Sequence, residues 1–102
     1  MNINLEKDLC DYLNQKINNI NIDELFENVK LNSLINIVLL TELCEALYFR
    51  ELIVNKEQNN KLLGFLDLLR SANADSISEM TFLYIIYCCE RELKKSQNNI
   101  YI

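Results

Sequence analysis

The stretch that decides the fold is LINIVLLTELCEALYFRELIV, residues 34–54. It holds neither Gly nor Pro and is rich in Leu, so it predicts one long helix, with Asn32 or Ser33 as its N-cap. Its first half, residues 34–40, is apolar almost all round, and a helix without a polar face is either central in the fold or covered by another subunit. After Thr41 the pattern becomes amphipathic. We expect an inward face of Leu43, Cys44, Leu47, Tyr48 and Leu52.

The rest of the chain also favours helices. It has 102 residues, no Pro and one Gly, and tight β-hairpin turns are hard to make without these residues. The patterns predict further helices over about residues 5–17, 22–31, 61–72 and 77–96, with Asn4, Asn21 and Ser76 as N-caps. The predicted fold is therefore all-α: a compact antiparallel bundle of four main helices plus one short helix. We expect a single domain over residues 1–96 and a short C-terminal tail over residues 97–102.

Three details of packing follow from helical spacing. An apolar stripe repeats every four residues in the first helix and predicts its inward face: Leu5, Leu9, Leu13 and Ile17, widened by Tyr12. Gly64, inside the fourth helix, predicts a close helix crossing there. The last helix should pack through Met80, Leu83, Tyr84, Ile86, Tyr87 and Leu93.

Charge is distributed unevenly. Residues 1–45 hold eight acids against three lysines, whereas residues 46–102 carry seven charges of each sign, so the net charge of −5 lies in the first half. This distribution argues against binding to nucleic acid or to an anionic membrane, and it permits a basic protein partner. The N-terminal residues lack the basic start and apolar core of a signal peptide, and no apolar run is long enough to cross a bilayer. We therefore expect a cytoplasmic protein.

Residues that carry chemistry are few. The four cysteines include no C-x-x-C pair, and the chain has no His, so a zinc or di-iron site is not predicted. Nothing pairs a nucleophile with a base, and no Gly-rich loop would hold phosphate. We expect no catalytic residues, no metal and no cofactor. Acids do recur at i,i+3 spacing, and Tyr48-Phe49-Arg50 has the composition of an interface hot spot. The candidate partner-binding residues are Asp8, Asp11, Glu24, Glu27, Glu42, Glu45, Tyr48, Phe49 and Arg50.

In size and helix order the chain resembles the cytosolic immunity proteins that protect bacteria from their own peptide bacteriocins, which are antiparallel four-helix bundles. Many of those proteins are basic, whereas this chain is acidic. We predict a small non-catalytic interaction protein, an inhibitor, immunity or adaptor protein that binds its partner through the acidic N-terminal half. Two alternatives stay open. One is a structural homodimer assembled through the apolar third helix, and the other is a small enzyme or metal protein that uses carboxylates or thiols.

Overall fold

The computed structural model describes residues 3–29, 34–71 and 76–100. The described residues form five α-helices and no strand: α1 (Ile3–Asn18), α2 (Ile22–Asn28), α3 (Leu34–Asn55), α4 (Asn60–Leu69) and α5 (Glu79–Ile100). The predicted all-α class is confirmed, and the arrangement as an antiparallel four-helix bundle stays a prediction. Within the described ranges, no helix combines the length and the apolar character needed to cross a membrane.

The structure confirms some of the predicted helix N-caps and not others. Asn21 is the N-cap of α2 as predicted, and its Oδ1 accepts a hydrogen bond from the Glu24 N–H at 3.3 Å. Asn59 caps α4 in the same way, through the Leu62 N–H at 3.1 Å. By contrast, α1 already includes Asn4, so this residue is not an N-cap. The predicted cap of α3, Asn32 or Ser33, lies outside the described residues.

The start of α5 differs from the prediction. The helix begins at Glu79, so the predicted capping box of Ser76 with Glu79 is wrong. Ser78 is the residue that caps it: the Ser78 Oγ accepts from the Thr81 N–H at 3.2 Å, and the Ser78 carbonyl accepts from the Phe82 N–H at 3.1 Å. Ile77 and Phe82, on either side of this turn, are both buried, as in a hydrophobic staple. The helix therefore starts two residues later than expected, after a turn flanked by two buried apolar side chains.

α3 is the central helix. It packs against α1, α4, α5 and α2, and α2 also packs against α5. Leu43, Cys44, Leu47 and Tyr48 are buried as predicted, whereas Leu52 is 38% exposed. The apolar segment at the start of α3 is covered on one side only. Ile35 and Val38 are exposed, and the polar Asn36 is buried in their place.

One further packing prediction is wrong, and another is confirmed in part. A Cβ built on Gly64 would have nothing within 4 Å, so no helix crosses closely there. In α5, the predicted residues Leu83, Ile86 and Leu93 pack in or against the core, whereas Met80, Tyr84 and Tyr87 are exposed. The side of α5 that meets the core also carries Phe82, Ile85 and Cys89. α5 also extends to Ile100, which is past the predicted end at residue 96.

Candidate protein-binding surfaces

The first candidate surface is built on the contact between α1 and α3. The Lys56 Nζ lies 3.0 Å from the Glu6 Oε1, and the Arg50 guanidinium donates a 2.9 Å hydrogen bond to the Asn14 Oδ1. The two contacts occur in opposite order along the two helices, so α1 and α3 run in opposite directions at this contact. Burial lowers the pKa of Arg50. α1 packs mainly against α3, and much of its circumference is therefore left open.

Three apolar side chains on α1 are exposed, in contrast to the predicted inward stripe. Leu5, Leu9 and Tyr12 are 59%, 44% and 53% exposed, and we call them the α1 stripe. Their spacing of four and three residues places them on one helix face. Ile17 is buried and Leu13 packs against the core, so only the C-terminal end of the predicted face is covered. The Lys16 ammonium lies over the Tyr12 ring, 5.5 Å from its centroid.

Acidic side chains border the α1 stripe. Asp8 and Asp11 are exposed, and Asp8 lies one helical turn from both Leu5 and Tyr12. Glu24 and Glu27 are also exposed, but they belong to α2. The four carboxylates therefore belong to two different helices, and Asp8 and Asp11 are the pair beside the exposed side chains of the α1 stripe.

The predicted partner-binding residues on α3 differ in exposure and in the contacts that they make. Glu45 forms an ion pair with Arg70, the C-cap residue of α4, and Glu42 is half-buried. Tyr48 is in the core, and its ring meets the Phe49 ring edge-on with centroids 5.2 Å apart. Phe49 is 44% exposed. Of the Tyr48-Phe49-Arg50 triplet, Phe49 is thus the residue that offers apolar surface to a partner.

A second candidate surface, which the sequence analysis did not identify, lies where α4 meets α5. The Lys61 Nζ lies 5.6 Å from the centroid of the Tyr84 ring, and the Arg91 guanidinium carbon lies 6.0 Å from that of Tyr87. A hydrogen bond with Tyr84 raises the pKa of Lys61. Tyr84, Tyr87 and Arg91 follow the helical spacing of three and four residues. We call these four residues the cation–aromatic face. The spacing is visible in the sequence, but only the structure shows that Lys61 joins it.

The buried thiols lie between α3 and α5. The Cys44 and Cys89 sulfurs are 3.5 Å apart and fully buried, and all four cysteines are reduced. The hydrogen bond with Cys44 and burial both raise the pKa of Cys89. No group of three or more thiols and carboxylates within the described ranges is arranged to hold a metal ion.

An open pocket of about 290 Å³ lies between the α1–α2 connection and α5. Its lining is aliphatic and amide-rich, and its one ionisable side chain is that of Asp23. The lining residues are Ile17, Asn18, Ile20, Asn21, Ile22, Asp23 and Leu93. A single carboxylate without a basic or nucleophilic neighbour in the lining gives no pair for acid–base chemistry.

Comparison with known proteins gives no relative. No protein-family model matches the chain, and no match was found among curated proteins or among solved structures.

Proposed function

We propose that this chain is a small non-catalytic protein-interaction module, cytoplasmic and folded as an antiparallel helical bundle. It acts as an inhibitor, immunity or adaptor protein and binds a basic partner protein through its acidic N-terminal half. The observation that carries the proposal is the α1 stripe of Leu5, Leu9 and Tyr12, exposed beside the carboxylates of Asp8 and Asp11.

The composition of this surface supports protein binding. An amphipathic helix that presents apolar side chains at i, i+4 and i+7 is a common way to fill a groove on a partner. Carboxylates at its edge attract a partner with basic residues around that groove, which raises the association rate and selects the orientation. The stretch of α3 beside α1 adds exposed Phe49 and Leu52, so apolar surface is available on both helices of the pair.

Affinity capture from the source cell with variants of the α1 surface tests this proposal. We expect a basic protein to be retained by the unaltered chain and lost by the double variant Asp8→Lys with Asp11→Lys. Leu5→Ser with Leu9→Ser should lose the same protein, because the apolar contact is removed without a change in charge.

The matched control is Glu57→Lys with Asp67→Lys, which makes the same change in net charge at exposed acids outside α1. It should retain the partner. Circular dichroism confirms that each variant is folded. Equal loss of the partner by the control, or retention by both α1 variants, would contradict the proposal.

A second candidate, the structural homodimer, is favoured by Ile35 and Val38, which are 69% and 49% exposed at the start of α3. A helix face of this kind is a potential contact for a second copy. Sedimentation equilibrium at micromolar concentration tests it: a dimer mass that becomes a monomer mass in Val38→Glu supports the homodimer, and a monomer mass for the unaltered chain excludes it.

A further inference from the structure

We propose that the cation–aromatic face on α4 and α5 binds an acidic segment of a partner protein. This is a second surface, separate from the α1 surface of the proposed function and opposite to it in charge. It would allow the chain to contact a basic protein through α1 and an acidic segment through α5.

The first argument is that the cations of this face lack carboxylate partners. In the described part of the chain, four other cations form ion pairs: Lys56 with Glu6, Arg70 with Glu45, Lys94 with Glu90 and Lys95 with Glu92. Lys61 and Arg91 are instead placed over tyrosine rings. Tyr84 and Cys88 raise the pKa of Lys61, and the second cation of the face, Arg91, lowers it. In a chain with a net charge of −5, these two positive charges remain available to an external carboxylate.

The second argument is the position of the rings. Tyr84 and Tyr87 are about half exposed, and Met80, one turn before Tyr84, is 74% exposed. Phe65 of α4 meets the Tyr84 ring edge-on with centroids 5.8 Å apart, so that ring is held from one side. Tyr, Met and Arg are enriched in protein interfaces. A tyrosine that is already ordered loses little conformational entropy when a partner covers it.

The chemistry of the occupant follows from these two features. Exposed rings fit aliphatic or aromatic side chains, and the two cations that flank them fit carboxylates. A peptide that alternates acidic and apolar residues satisfies both at once. The charge of the face therefore complements an acidic segment, whereas the acidic α1 surface complements a basic one.

The experiment uses the full chain and a capped synthetic peptide built from repeats of Glu-Glu-Leu. The peptide is titrated into ¹⁵N-labelled protein at low ionic strength, and chemical shifts are followed by NMR. We expect saturable binding, with the largest shifts around Lys61, Tyr84 and Arg91. The double variant Lys61→Glu with Arg91→Glu should bind about ten-fold more weakly or worse, because two charge contacts are reversed.

Two controls separate this surface from general electrostatics and from the α1 surface. Lys7→Glu with Lys16→Glu makes the same change in net charge on α1 and should leave the peptide affinity within about two-fold, since both lysines belong to α1 and neither is part of the face. Asp8→Lys with Asp11→Lys should not abolish peptide binding. If the unaltered chain captures no partner but binds the peptide, the proposed function fails and the cation–aromatic face stands. If it captures a partner but does not bind the peptide, the proposal for the cation–aromatic face fails.

Several outcomes would overturn the proposal. They are the absence of saturable binding, equal weakening by the α1 lysine variant, and largest shifts away from α4 and α5. Shifts at the same residues on simple concentration of the protein would assign the face to a second copy. Tighter binding of a single-stranded oligothymidylate to this face would assign it to nucleic acid. Either result would replace the acidic segment as the occupant.

Discussion

Gly64 lies exposed within α4, in a helical backbone that any residue adopts. Because nothing lies within 4 Å of a Cβ at this position, Gly64→Ala adds a methyl group without a clash. Alanine also restricts the unfolded chain and has a higher helix propensity. We expect the free energy of unfolding to rise by about 0.5–1 kcal/mol, measured by urea denaturation. A decrease would mean that another surface, such as a second chain, approaches Gly64.

The Cys89 thiol gives a prediction of pH dependence. Its pKa is raised in the folded protein by Cys44 and by burial, whereas an exposed thiol in the unfolded chain ionises near pH 8.5. Above about pH 8.5 the folded state therefore binds more protons than the unfolded state. The stability that this thiol contributes is complete below that pH and is lost as the pH rises. The loss approaches about 1.4 kcal/mol per pH unit.

Urea denaturation at pH 7, 8.5 and 9.5 in the presence of a phosphine reductant measures this slope. Cys89→Ala removes the ionisation, so its stability should fall less steeply above pH 8.5, although the variant is less stable at every pH because of the cavity. All other ionisable side chains are common to both proteins, so the difference in slope is the quantity to compare. Identical slopes for the two proteins would show that Cys89 is not the group responsible.

At the scale of one element, the two ends of α1 differ in burial. Ile17 is 5% exposed, whereas Leu9 on the same predicted stripe is 44% exposed. We expect Ile17→Ala to cost about 2–4 kcal/mol of unfolding free energy and Leu9→Ala less than about 1 kcal/mol. Urea denaturation at submicromolar protein concentration measures both. Equal losses would show that Leu9 is covered in solution, as in a dimer.

The features of the fold that were predicted correctly from the sequence are those that depend on local interactions. The Asn21 cap needs only residues three positions apart, and the inward face of α3 needs only periodicity, so the cap was found, and so was that face except for Leu52. Ser78 was missed because the local pattern does not distinguish it from Ser76, and the burial of Ile77 and Phe82 beside it is seen only in the tertiary structure. In the same way, α5 is apolar on more than one side between Phe82 and Cys89, and periodicity alone does not say which side meets α3.

The candidate site was predicted less completely than the fold, for a related reason. Sequence spacing located the acids Asp8 and Asp11, but it assigned Leu5 and Leu9 beside them to the core. Whether an apolar stripe is covered depends on how many neighbours a helix has, and α1 packs mainly against α3. The ion pair of Glu45 with Arg70 and the position of Lys61 over Tyr84 join residues distant in sequence, so neither was visible in a local pattern.

At the scale of the whole molecule, apolar side chains are exposed on α1, α3 and α5 of a chain that carries a net charge of −5. Two molecules of this protein carry charge of the same sign, and their repulsion opposes association through these apolar surfaces. The carboxylates of Asp8 and Asp11 add to this repulsion beside the α1 stripe. We therefore expect a balance between net charge, which opposes association of copies, and exposed apolar surface, which favours it.

This balance predicts how the protein behaves in acid. The isoelectric point is near pH 4.6, so lowering the pH from 7 removes the repulsion while the apolar side chains stay exposed. We expect light scattering to rise steeply between about pH 5.5 and 4.5, as the net charge approaches zero near the isoelectric point. Leu5→Ser with Leu9→Ser should shift the onset to lower pH, because it reduces the apolar contact and leaves the charge unchanged. A matched pair of substitutions at exposed polar positions of α1, Lys7→Arg with Gln15→Ser, should leave the onset in place. An onset unaffected by the leucine substitutions would show that the α1 stripe is not the surface through which copies associate.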